Sequence, residues 1–445
     1  MGRRLFRRLR APISMQIEVT SACNCKCVHC YNYWRDKSEL ALVGDLPPAN
    51  MTMDTAKRVL EQCVKNELFD VVLTGGEPFL NFPIVKWLAE EFIKNKIKVS
   101  INSNLSLITD KQADWLVASG VRGVLTSVLG PNAEVHDAIT TAHGSFDATM
   151  RGIRKLIERG FFPPVNCVVT KKNITYTERT FKMLAKLGVK FIAFTPAICP
   201  SYCNDFSALA IQREELVKCF NTALHLSKEL NVVVDALSSL PLCSLEGVEN
   251  ILHFSKRHCG IGRTQIVCTS EGLTRACPNF DRIEGDLKLE NLSEIWVSYK
   301  KWNEEENVPK ICRNCNLLGL CTGGCRMAAK TANGDYCSPD SRVNSDSIAQ
   351  VEKQIREQMV SKHIEITGSF LIKDYRLRNE DFGAVIGSGF DYNSVSFISK
   401  EAVDVLSHFK IGRIYHTQEV MLKFSQKDKE AFFRSMVNHG VVQFV

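Results

Sequence analysis

Two hydrophobic periods alternate along roughly the first 200 residues of the chain. Short runs rich in apolar and β-branched residues predict buried strands, because a strand covered on both faces is apolar throughout. The longer segments between them have apolar residues at every third or fourth position, which predicts amphipathic helices. The predicted strands are 15–20, 71–74, 98–102, 123–128, 165–170 and 191–195, and the predicted helices include 53–68, 84–95, 111–119, 145–159 and 177–187.

This alternation of strand and helix predicts an α/β fold with a parallel sheet and crossover helices. Six such units are fewer than the eight that close a TIM barrel. We therefore expect a partial (β/α)6 TIM-like barrel over residues 13–235, after a short arm at 1–12. An incomplete barrel leaves one side open to a large substrate.

The hydrophobic period is lost between Cys243 and Cys337, where cysteines, glycines and short polar segments take over. This segment has few aliphatic residues, so we expect a bound metal to hold it together as a separate cysteine-rich domain at 236–346. A helical linker is predicted at 347–362.

The last segment, 363–445, returns to a globular pattern and predicts a small α+β domain. Its β-like runs are 369–374 and 394–398, and its predicted helices are 400–409 and 427–438.

The composition is ordinary for a globular protein of 445 residues, with 45% hydrophobic and 24% charged residues. The net charge of +7 is modest, and five arginines of the arm, from Arg3 to Arg10, contribute much of it. We interpret this arm as solvated, in preference to a nucleic-acid or membrane contact. No secretory signal and no membrane-spanning run is found, so we expect a cytoplasmic protein without nucleic-acid or membrane partners.

Cysteine changes this picture, because the chain has 18 of them in short clusters. Clustered thiols in a long chain without a secretory signal are typical of metal binding rather than of disulfides. The first cluster has Cys23, Cys27 and Cys30 in a C-x3-C-x2-C spacing, directly after the first predicted strand. Three thiolates in a tight loop can ligate three irons of a [4Fe–4S] cluster and leave the fourth iron open. Zinc is disfavoured, since it prefers paired C-x2-C units, and Cys25 is expected to be a non-ligating thiol.

Together with a second motif, this spacing resembles the radical S-adenosylmethionine (SAM) superfamily. The segment Thr74-Gly75-Gly76-Glu77-Pro78 is similar to the GGEP motif of that family, in which the glycines allow close approach and the glutamate accepts from the amino group of SAM. Further resemblances imply SAM contacts from Ser103, Asn104 and Ser127, and more weakly from Thr170. Leu129 stands where the family has Asp, in a stretch that continues to His136-Asp137.

The resemblance implies the reaction type. SAM would chelate the open iron, and one electron would cleave SAM to methionine and a 5′-deoxyadenosyl radical that takes a hydrogen atom from the substrate. The electron would come from a low-potential donor such as flavodoxin or ferredoxin.

The later cysteines resemble the SPASM extension of radical SAM enzymes, which holds two auxiliary [4Fe–4S] clusters. The resemblance implies three clusters, or about twelve irons, per chain. By the family pattern one auxiliary cluster would be held by Cys312, Cys315, Cys321 and Cys337. The other would be held by Cys259, Cys277 and Cys325, and its fourth iron would either be open or be bound by Cys243 or Cys268.

SPASM enzymes typically act on peptides, and the last domain resembles the winged-helix recognition element of enzymes that modify ribosomally made peptides (RiPPs). We therefore expect a RiPP maturase that binds the leader of a precursor peptide and forms a thioether, carbon–carbon or carbon–oxygen cross-link or a related modification. One alternative is an anaerobic sulfatase maturase that makes formylglycine, although Pro278 replaces the Asp that those enzymes carry after the cysteine. A second alternative is a non-enzymatic iron–sulfur electron-transfer protein. The sequence leaves the catalytic acid or base unassigned.

Overall fold

The computed structural model describes residues 6–30, 49–200, 206–280, 282–360, 368–388, 395–418, 426–438 and 440–445. The chain forms two compact units, Met1–Gln358 and Met359–Val445. Residues 1–5 of the predicted arm and position 394 of a predicted strand lie outside the described residues. No helix among the described residues is long and apolar enough to cross a membrane.

One ten-stranded sheet organises the first unit, in the order β10-β9-β8-β1-β2-β3-β4-β5-β6-β7. The run from β8 through β1 to β7 is parallel, and β9 and β10 continue it as antiparallel strands. The two ends of this order are not paired with each other, so the barrel stays open. The strands are β1 Ser14–Glu18, β2 Asp70–Thr74, β3 Lys98–Asn102, β4 Val124–Ser127, β5 Val165–Val169, β6 Phe191–Pro196, β7 Val233–Asp235, β8 Gln265–Cys268, β9 Leu273–Arg275 and β10 Gly285–Asp286.

The crossover helices cover this sheet. They are α1 Met53–Lys65, α2 Phe82–Lys94, α3 Asp110–Ala118, α4 Ala133–Thr140, α5 Ser145–Glu158, α6 Thr177–Leu187 and α7 Arg213–Leu230. The cysteine-rich segment adds α8 Ile251–Phe254, α9 Leu292–Ser298, α10 Leu318–Cys321 and α11 Arg326–Asn333, and α12 Ile348–Val360 follows it.

Periodicity and capping explain why the predicted elements form. Val71 and Leu73 of β2 are fully buried, as an apolar run under helices on both faces requires. Thr52 caps α1 by accepting from the Thr55 N–H, and Thr109 forms a capping box with Gln112 at α3. All six predicted strands are confirmed, with ends that shift by one or two residues.

Two parallel strands of the sheet, β7 and β8, are additional to the six predicted ones. β7 has three residues and β8 has four, too few for a period to be visible. β8 pairs in parallel with β1, so the cysteine-rich segment extends the barrel sheet. Its side chains, including Phe280, Trp296 and Tyr299, belong to the same hydrophobic core as the barrel. The expectation that only a metal holds this segment together is therefore wrong.

In the described part of the arm Arg7, Arg8 and Arg10 are exposed, in line with a solvated arm, whereas Leu9 packs against the protein. Arg8 pairs with Glu304, and Arg10 pairs with Glu67. Leu9 is buried, and its carbonyl accepts from the Trp296 indole N–H at 2.9 Å. The arginines are thus used in intramolecular ion pairs.

The second unit is an α+β structure with its own core, which includes Phe370, Ile386, Phe433 and Met436. It contains two antiparallel three-stranded sheets, in the orders β15-β11-β16 and β12-β13-β14. Its elements are β11 Ser369–Ile372, β12 Tyr375–Glu380, β13 Gly383–Ser388, β14 Val395–Ser399, α13 Lys400–Ser407, β15 Ile414–His416, α14 Gln426–Asn438 and β16 Val442–Phe444.

A buried ion pair joins the first strand of the barrel to the cysteine-rich segment. Glu18 of β1 and Arg275 of β9 are 6% and 2% exposed in their side chains, and Arg275 donates to the Glu18 carboxylate. Burying two charges is costly, and the pair is favourable only while both partners remain.

We expect Glu18→Ala to lower the free energy of unfolding by about 3–5 kcal/mol, because it leaves the Arg275 charge buried without its partner. The double variant Glu18→Met/Arg275→Met should lose less than the single one. Chemical denaturation of the apo-protein under anaerobic conditions measures both. A single variant as stable as the wild type would contradict this role of the pair.

Candidate functional site

The C-x3-C-x2-C loop follows β1 and is held by main-chain bonds to two other parts of the barrel. The Lys26 and Val28 N–H groups donate to the carbonyls of Thr140 and Ile139, at the end of α4. Within the loop the Cys30 N–H donates to the Cys27 carbonyl at 2.9 Å. The loop conformation is therefore set by the protein itself.

The four thiols of this loop differ in exposure. Cys23 is exposed and Cys27 and Cys30 are partly exposed, whereas Cys25 is 8% exposed. Asn104 points its amide at the Cys25 sulfur from 3.9 Å. All four cysteines line one large cavity, and Cys25 is the most buried of them.

The two glycines of the GGEP-like turn serve the packing of this loop. The Gly76 N–H donates to the Thr20 carbonyl at 2.8 Å, and the Glu77 N–H donates to the Ala22 carbonyl at 2.7 Å. A Cβ at Gly75 or Gly76 would overlap these same carbonyl groups, and Gly75 has φ 140°. The glycines thus allow β2 to meet the cysteine loop at backbone distance.

Glu77 is buried at the carboxyl ends of β2 and β3. Its carboxylate accepts from the Ser103 hydroxyl at 2.7 Å, the Asn104 N–H at 2.9 Å and the Phe79 N–H at 3.1 Å. Burial raises the pKa of Glu77 to about 7, and these three donors oppose that rise. Ser103 and Asn104, predicted as SAM contacts, therefore also orient the predicted acceptor for the amino group of SAM.

The stretch after β4 combines a cavity-lining serine with structural residues. Ser127 and Leu129 line the cavity. His136 Nδ1 accepts from the Leu129 N–H at 3.1 Å and so fixes the backbone there. Asp137 caps the start of α5, where it accepts from the Gly144 N–H, the Ser145 hydroxyl and the Phe146 N–H. The His136-Asp137 pair is explained by this local structure.

Thr170 does not reach the cavity, and the weaker prediction of a SAM contact there is wrong. It is fully buried after β5, where its N–H and hydroxyl donate to Asn173 Oδ1 at 2.7 and 3.2 Å. Asn173 in turn donates to the Leu129 and Val168 carbonyls at 2.9 Å. Thr170 is therefore part of a turn that supports the wall of the cavity.

Three cysteines of the second region line the same cavity as the first cluster. Cys259, Cys277 and Cys325 come from separate parts of the cysteine-rich segment. The Asn279 N–H donates to the Cys277 sulfur at 3.4 Å, and the Arg263 guanidinium bonds to the Cys259 thiol. Asp340, paired with Arg342, accepts from the Cys325 N–H at 2.8 Å. The four thiols of the first loop and these three thiols thus face one open cavity of about 520 Å³.

The structure separates both predicted fourth ligands from this set. Cys268 is buried at the end of β8, where its neighbours include Cys63 and Glu18, and it does not line the cavity. Cys243 lines a different cavity, with Cys312, Cys315 and Cys321. Cys337, predicted to join that latter set, is absent from the lining of either cavity, and its sulfur lies 3.7 Å from Asn307 Oδ1.

The thiols of each group line a cavity and do not converge on a single point. Among the residues that the structure describes, no three His, Cys, Asp or Glu side chains converge on one metal ion. A closed zinc site needs four ligands at about 2.0–2.3 Å from one ion. Three or four thiols around a cavity fit a multi-iron cluster better, because each sulfur then binds a different iron.

Polar residues that the sequence analysis missed complete the cavity wall. They lie on the strands or just after them, as inward-facing polar positions in otherwise apolar runs, and this is the signal that could have found them. Asn166 of β5 accepts from the Thr195 hydroxyl of β6 at 2.7 Å. The set is Gln16, Asn102, Asn166, Thr195, Ser238, Ser239, His258 and Gln265.

His29, inside the cysteine motif, was missed as well. Its ring is buried beside His136, and burial lowers the pKa of both imidazoles to about 4, so both are neutral near pH 7. His29 Nδ1 and the hydroxyls of Ser238 and Ser239 have no hydrogen-bond partner among the described residues. These buried polar atoms at the cavity are therefore available to a bound molecule.

Comparison with known proteins agrees with this geometry. Residues 17–187 match the radical SAM superfamily. The chain therefore carries a radical SAM domain, for which SAM and a [4Fe–4S] cluster are implied. The match includes the first cysteine loop, the GGEP-like turn and the Ser103-Asn104 segment.

Two curated relatives are similar over most of their length. The AdoMet-dependent heme synthase of Methanosarcina barkeri is 26% identical over 342 residues, which cover 73% of this chain and 94% of the relative. The mycofactocin maturase MftC of Mycolicibacterium smegmatis is 26% identical over 339 residues, which cover 74% and 81%.

Two solved structures share the fold. Native anSMEcpe with bound AdoMet has a TM-score of 0.60 at 19% identity and covers 78% of this chain and 97% of its own. Streptococcus suis SuiB bound to the precursor peptide SuiA has a TM-score of 0.60 at 16% identity, with coverage of 75% and 76%.

We expect Cys23→Ala, Cys27→Ala and Cys30→Ala each to abolish SAM cleavage, and Cys25→Ala to leave it largely intact. The first three thiols have the spacing of a three-cysteine cluster motif and are the more exposed members of the loop, whereas Cys25 is buried. Formation of 5′-deoxyadenosine by reconstituted protein with dithionite measures the effect. Loss of cleavage in Cys25→Ala alone would overturn the ligand assignment.

SAM affinity should fall as the pH is lowered through about 7, because Glu77 then takes up a proton and loses its charge. Replacement by Gln should weaken SAM binding by roughly tenfold or more, the scale of a charge-assisted hydrogen bond. Equilibrium dialysis between about pH 6 and 8 gives SAM affinity against pH for the wild type and for Glu77→Gln. SAM itself titrates equally in both experiments, so the difference between the two profiles reports Glu77. Parallel profiles for the two proteins would exclude Glu77 as the titrating group.

Proposed function

We propose that this chain is a radical SAM peptide maturase. It takes a hydrogen atom from a residue of a ribosomally made precursor peptide and forms a cross-link or related modification. It carries three [4Fe–4S] clusters, two of them in the cysteine-rich segment, and receives electrons from a low-potential donor such as flavodoxin or ferredoxin. The similarity to the maturase MftC and the fold shared with SuiB bound to its peptide support this proposal.

The observation that carries the proposal is the shared cavity. The cavity has a volume of about 520 Å³, within the roughly 300–1,000 Å³ of small-molecule sites, and it is open to solvent, so it suits a ligand such as SAM and lets part of a larger substrate enter. Both cysteine triads face this volume. A substrate residue inside it is therefore within the same enclosure as the SAM site and the second set of thiols.

The residues of the chain divide the work in this cavity. When bound, the first cluster and SAM supply a radical that can take a hydrogen atom from an unactivated carbon. Cys23, Cys27 and Cys30 hold the cluster, Glu77 receives the amino group of SAM, and Ser127 faces its ribose. The apolar strands behind them exclude water, which protects a reactive species from side reactions.

The charge of the cavity favours a neutral substrate segment. Among its described lining residues there is no Lys or Arg, and Glu77 is the single carboxylate. The heme-synthase relatives suggest a tetrapyrrole substrate, but such a macrocycle carries several carboxylates that a cavity without cations does not pair. Main-chain amides of a peptide match the unpartnered hydroxyls of Ser238 and Ser239.

A sulfatase-maturase reaction is less well supported. The position after Cys277 is Pro278, and both Pro278 and Asn279 line the cavity. Neither side chain can accept a proton as a carboxylate base does. The fold shared with anSMEcpe therefore does not by itself support this chemistry for the present chain.

Leader binding is assigned to the second unit. β14 is the edge strand of the β12-β13-β14 sheet, and its Phe397 side chain is 39% exposed. α14 passes beside this strand, since Ser396 Oγ and Ser435 Oγ are 3.4 Å apart. An extended leader can add a strand at such an edge, with main-chain hydrogen bonds for affinity and alternate side chains for specificity.

Truncation after Val360 should spare uncoupled SAM cleavage and abolish modification of the precursor peptide. This truncation retains α12, whose Gln358 donates to the Glu249 carbonyl at 3.0 Å in the first unit. Formation of 5′-deoxyadenosine and peptide mass are measured in parallel. A truncated protein that modifies the full precursor as well as the intact one would overturn the recognition role of the second unit.

A matched pair of surface variants controls for loss of structure in this experiment. Phe397→Ala should weaken leader binding several-fold, whereas Leu289→Ala, at a residue 83% exposed in the first unit, should not. Both remove one exposed apolar side chain. A truncated protein that fails to hold its clusters would instead identify the second unit as a structural cap.

A further inference from the structure

A second group of thiols encloses a smaller cavity in the cysteine-rich segment. Cys243, Cys312, Cys315 and Cys321 line this cavity, and apolar side chains such as Leu317 and Ile348 form most of the remaining wall. We propose that these four cysteines hold the outer auxiliary cluster and that Cys337 is not a ligand. This assignment rests on the proposal that the segment carries auxiliary iron–sulfur clusters.

Backbone N–H groups around this cavity point at its sulfurs. The Leu242 N–H donates to the Cys321 sulfur at 3.3 Å, and the N–H groups of Gly323 and Gly324 also bond to it. The N–H of Asn344 bonds to the Cys243 thiol. Such donors stabilise thiolate sulfur and are one of the means by which proteins tune iron–sulfur clusters. Cys243 therefore accepts a backbone hydrogen bond, as does Cys321, which the spacing pattern already assigns to the set.

Cys243 reaches this cavity from a part of the chain that the spacing pattern does not include. It lies in a short turn, Leu242–Leu245, after β7. Leu242 from this turn and Cys321 are joined directly by the bond described above. The fourth cysteine of the cavity wall thus comes from the turn that follows β7.

Cys337 has different surroundings. It is partly exposed, and its nearest charged groups include the Asp335 and Glu306 carboxylates together with the Arg326 guanidinium. Its sulfur lies 3.7 Å from Asn307 Oδ1 rather than in the cavity wall.

Arg326 fixes the backbone on both sides of Cys337. Its buried guanidinium donates to the carbonyls of Tyr336 and Ser338, at 2.9 and 3.2 Å, and to the carbonyl of Gly323. To bring the Cys337 sulfur into the cavity, the loop would have to break bonds to a buried charge. Each such charge-assisted bond contributes about 1.5–3 kcal/mol.

The assignment also settles the inner set by subtraction. Cys243 serves the outer cavity, and Cys268 lies beside Cys63 away from both cavities. Among the cysteines that the structure describes, Cys259, Cys277 and Cys325 then remain to hold the inner cluster, and three ligands leave one iron open toward the shared cavity. An open iron is a position at which a substrate sulfur or oxygen can bind.

The test compares three full-length variants after anaerobic reconstitution: Cys243→Ala, Cys337→Ala and the matched control Cys219→Ala. Cys219 is a buried cysteine of α7 that lines neither cavity. Iron and sulfide per chain are measured, with Mössbauer spectra to identify cluster types. We expect about twelve irons in the wild type, in Cys337→Ala and in the control, and about eight in Cys243→Ala or a three-iron cluster at one site.

A second measurement needs no substitution. Iodoacetamide should alkylate Cys337 in the loaded wild-type protein, whereas Cys312 and Cys315, also partly exposed, should be protected until a chelator removes the iron. Peptide mass spectrometry identifies the labelled residues. This labelling experiment still tests the assignment if Cys243→Ala fails to fold.

Iron loss in Cys337→Ala, whether or not Cys243→Ala also loses iron, would overturn the assignment. So would protection of Cys337 in the loaded protein, or full iron content in Cys243→Ala. A wild type with only about four irons would remove the auxiliary clusters altogether. Failure of the proposed function is separate from these outcomes, since it would appear as absent peptide modification in a protein whose iron content follows the expected pattern.

Discussion

The contact between the end of β2 and the cysteine loop is the constraint on which the site depends. Two main-chain hydrogen bonds, from Gly76 to Thr20 and from Glu77 to Ala22, join the two segments. These bonds form only because Gly75 and Gly76 carry no Cβ that would overlap the two carbonyl groups. The same contact places the cysteine loop and the Glu77 carboxylate side by side. Glu77 then reaches Ser103 and Asn104 at β3, so three successive strand ends are fixed as one unit.

The pairing of β8 with β1 brings the cysteine-rich segment into this arrangement. β1 lies between β2 and β8, so the first cysteine loop and the later thiols start from adjacent strands. The buried pair of Glu18 and Arg275 adds a polar link two residues before Cys277. A shared core and a shared sheet therefore explain why two distant cysteine groups face one cavity without a bound metal to gather them.

The sequence predicts what repeats locally and misses what depends on distant partners. The six strands carry a full hydrophobic run each, whereas β7 and β8 are too short to show one. Spacing identifies Cys312, Cys315 and Cys321 as neighbours, but it cannot identify Cys243, which the fold brings in from after β7. Thr170 illustrates the opposite error, since a Thr after a strand suits a ligand contact and a turn with Asn173 equally well. The surface ion pairs of Arg8 and Arg10 could not be predicted because their partners, Glu304 and Glu67, are remote in sequence.

The charge of the shared cavity has a consequence for how a peptide is selected. Apart from Glu77 and the cysteines, the described lining consists of neutral side chains, with no Lys, Arg or second carboxylate. Neutral hydrogen bonds contribute only about 0.5–1.5 kcal/mol each, so the cavity alone distinguishes poorly between peptides. Selection is better served by a surface outside the cavity, where an edge strand such as β14 engages several main-chain groups of an extended segment together. Chemistry in the cavity and recognition at a strand edge are therefore separate tasks, which allows the modified residue to vary while the leader stays constant.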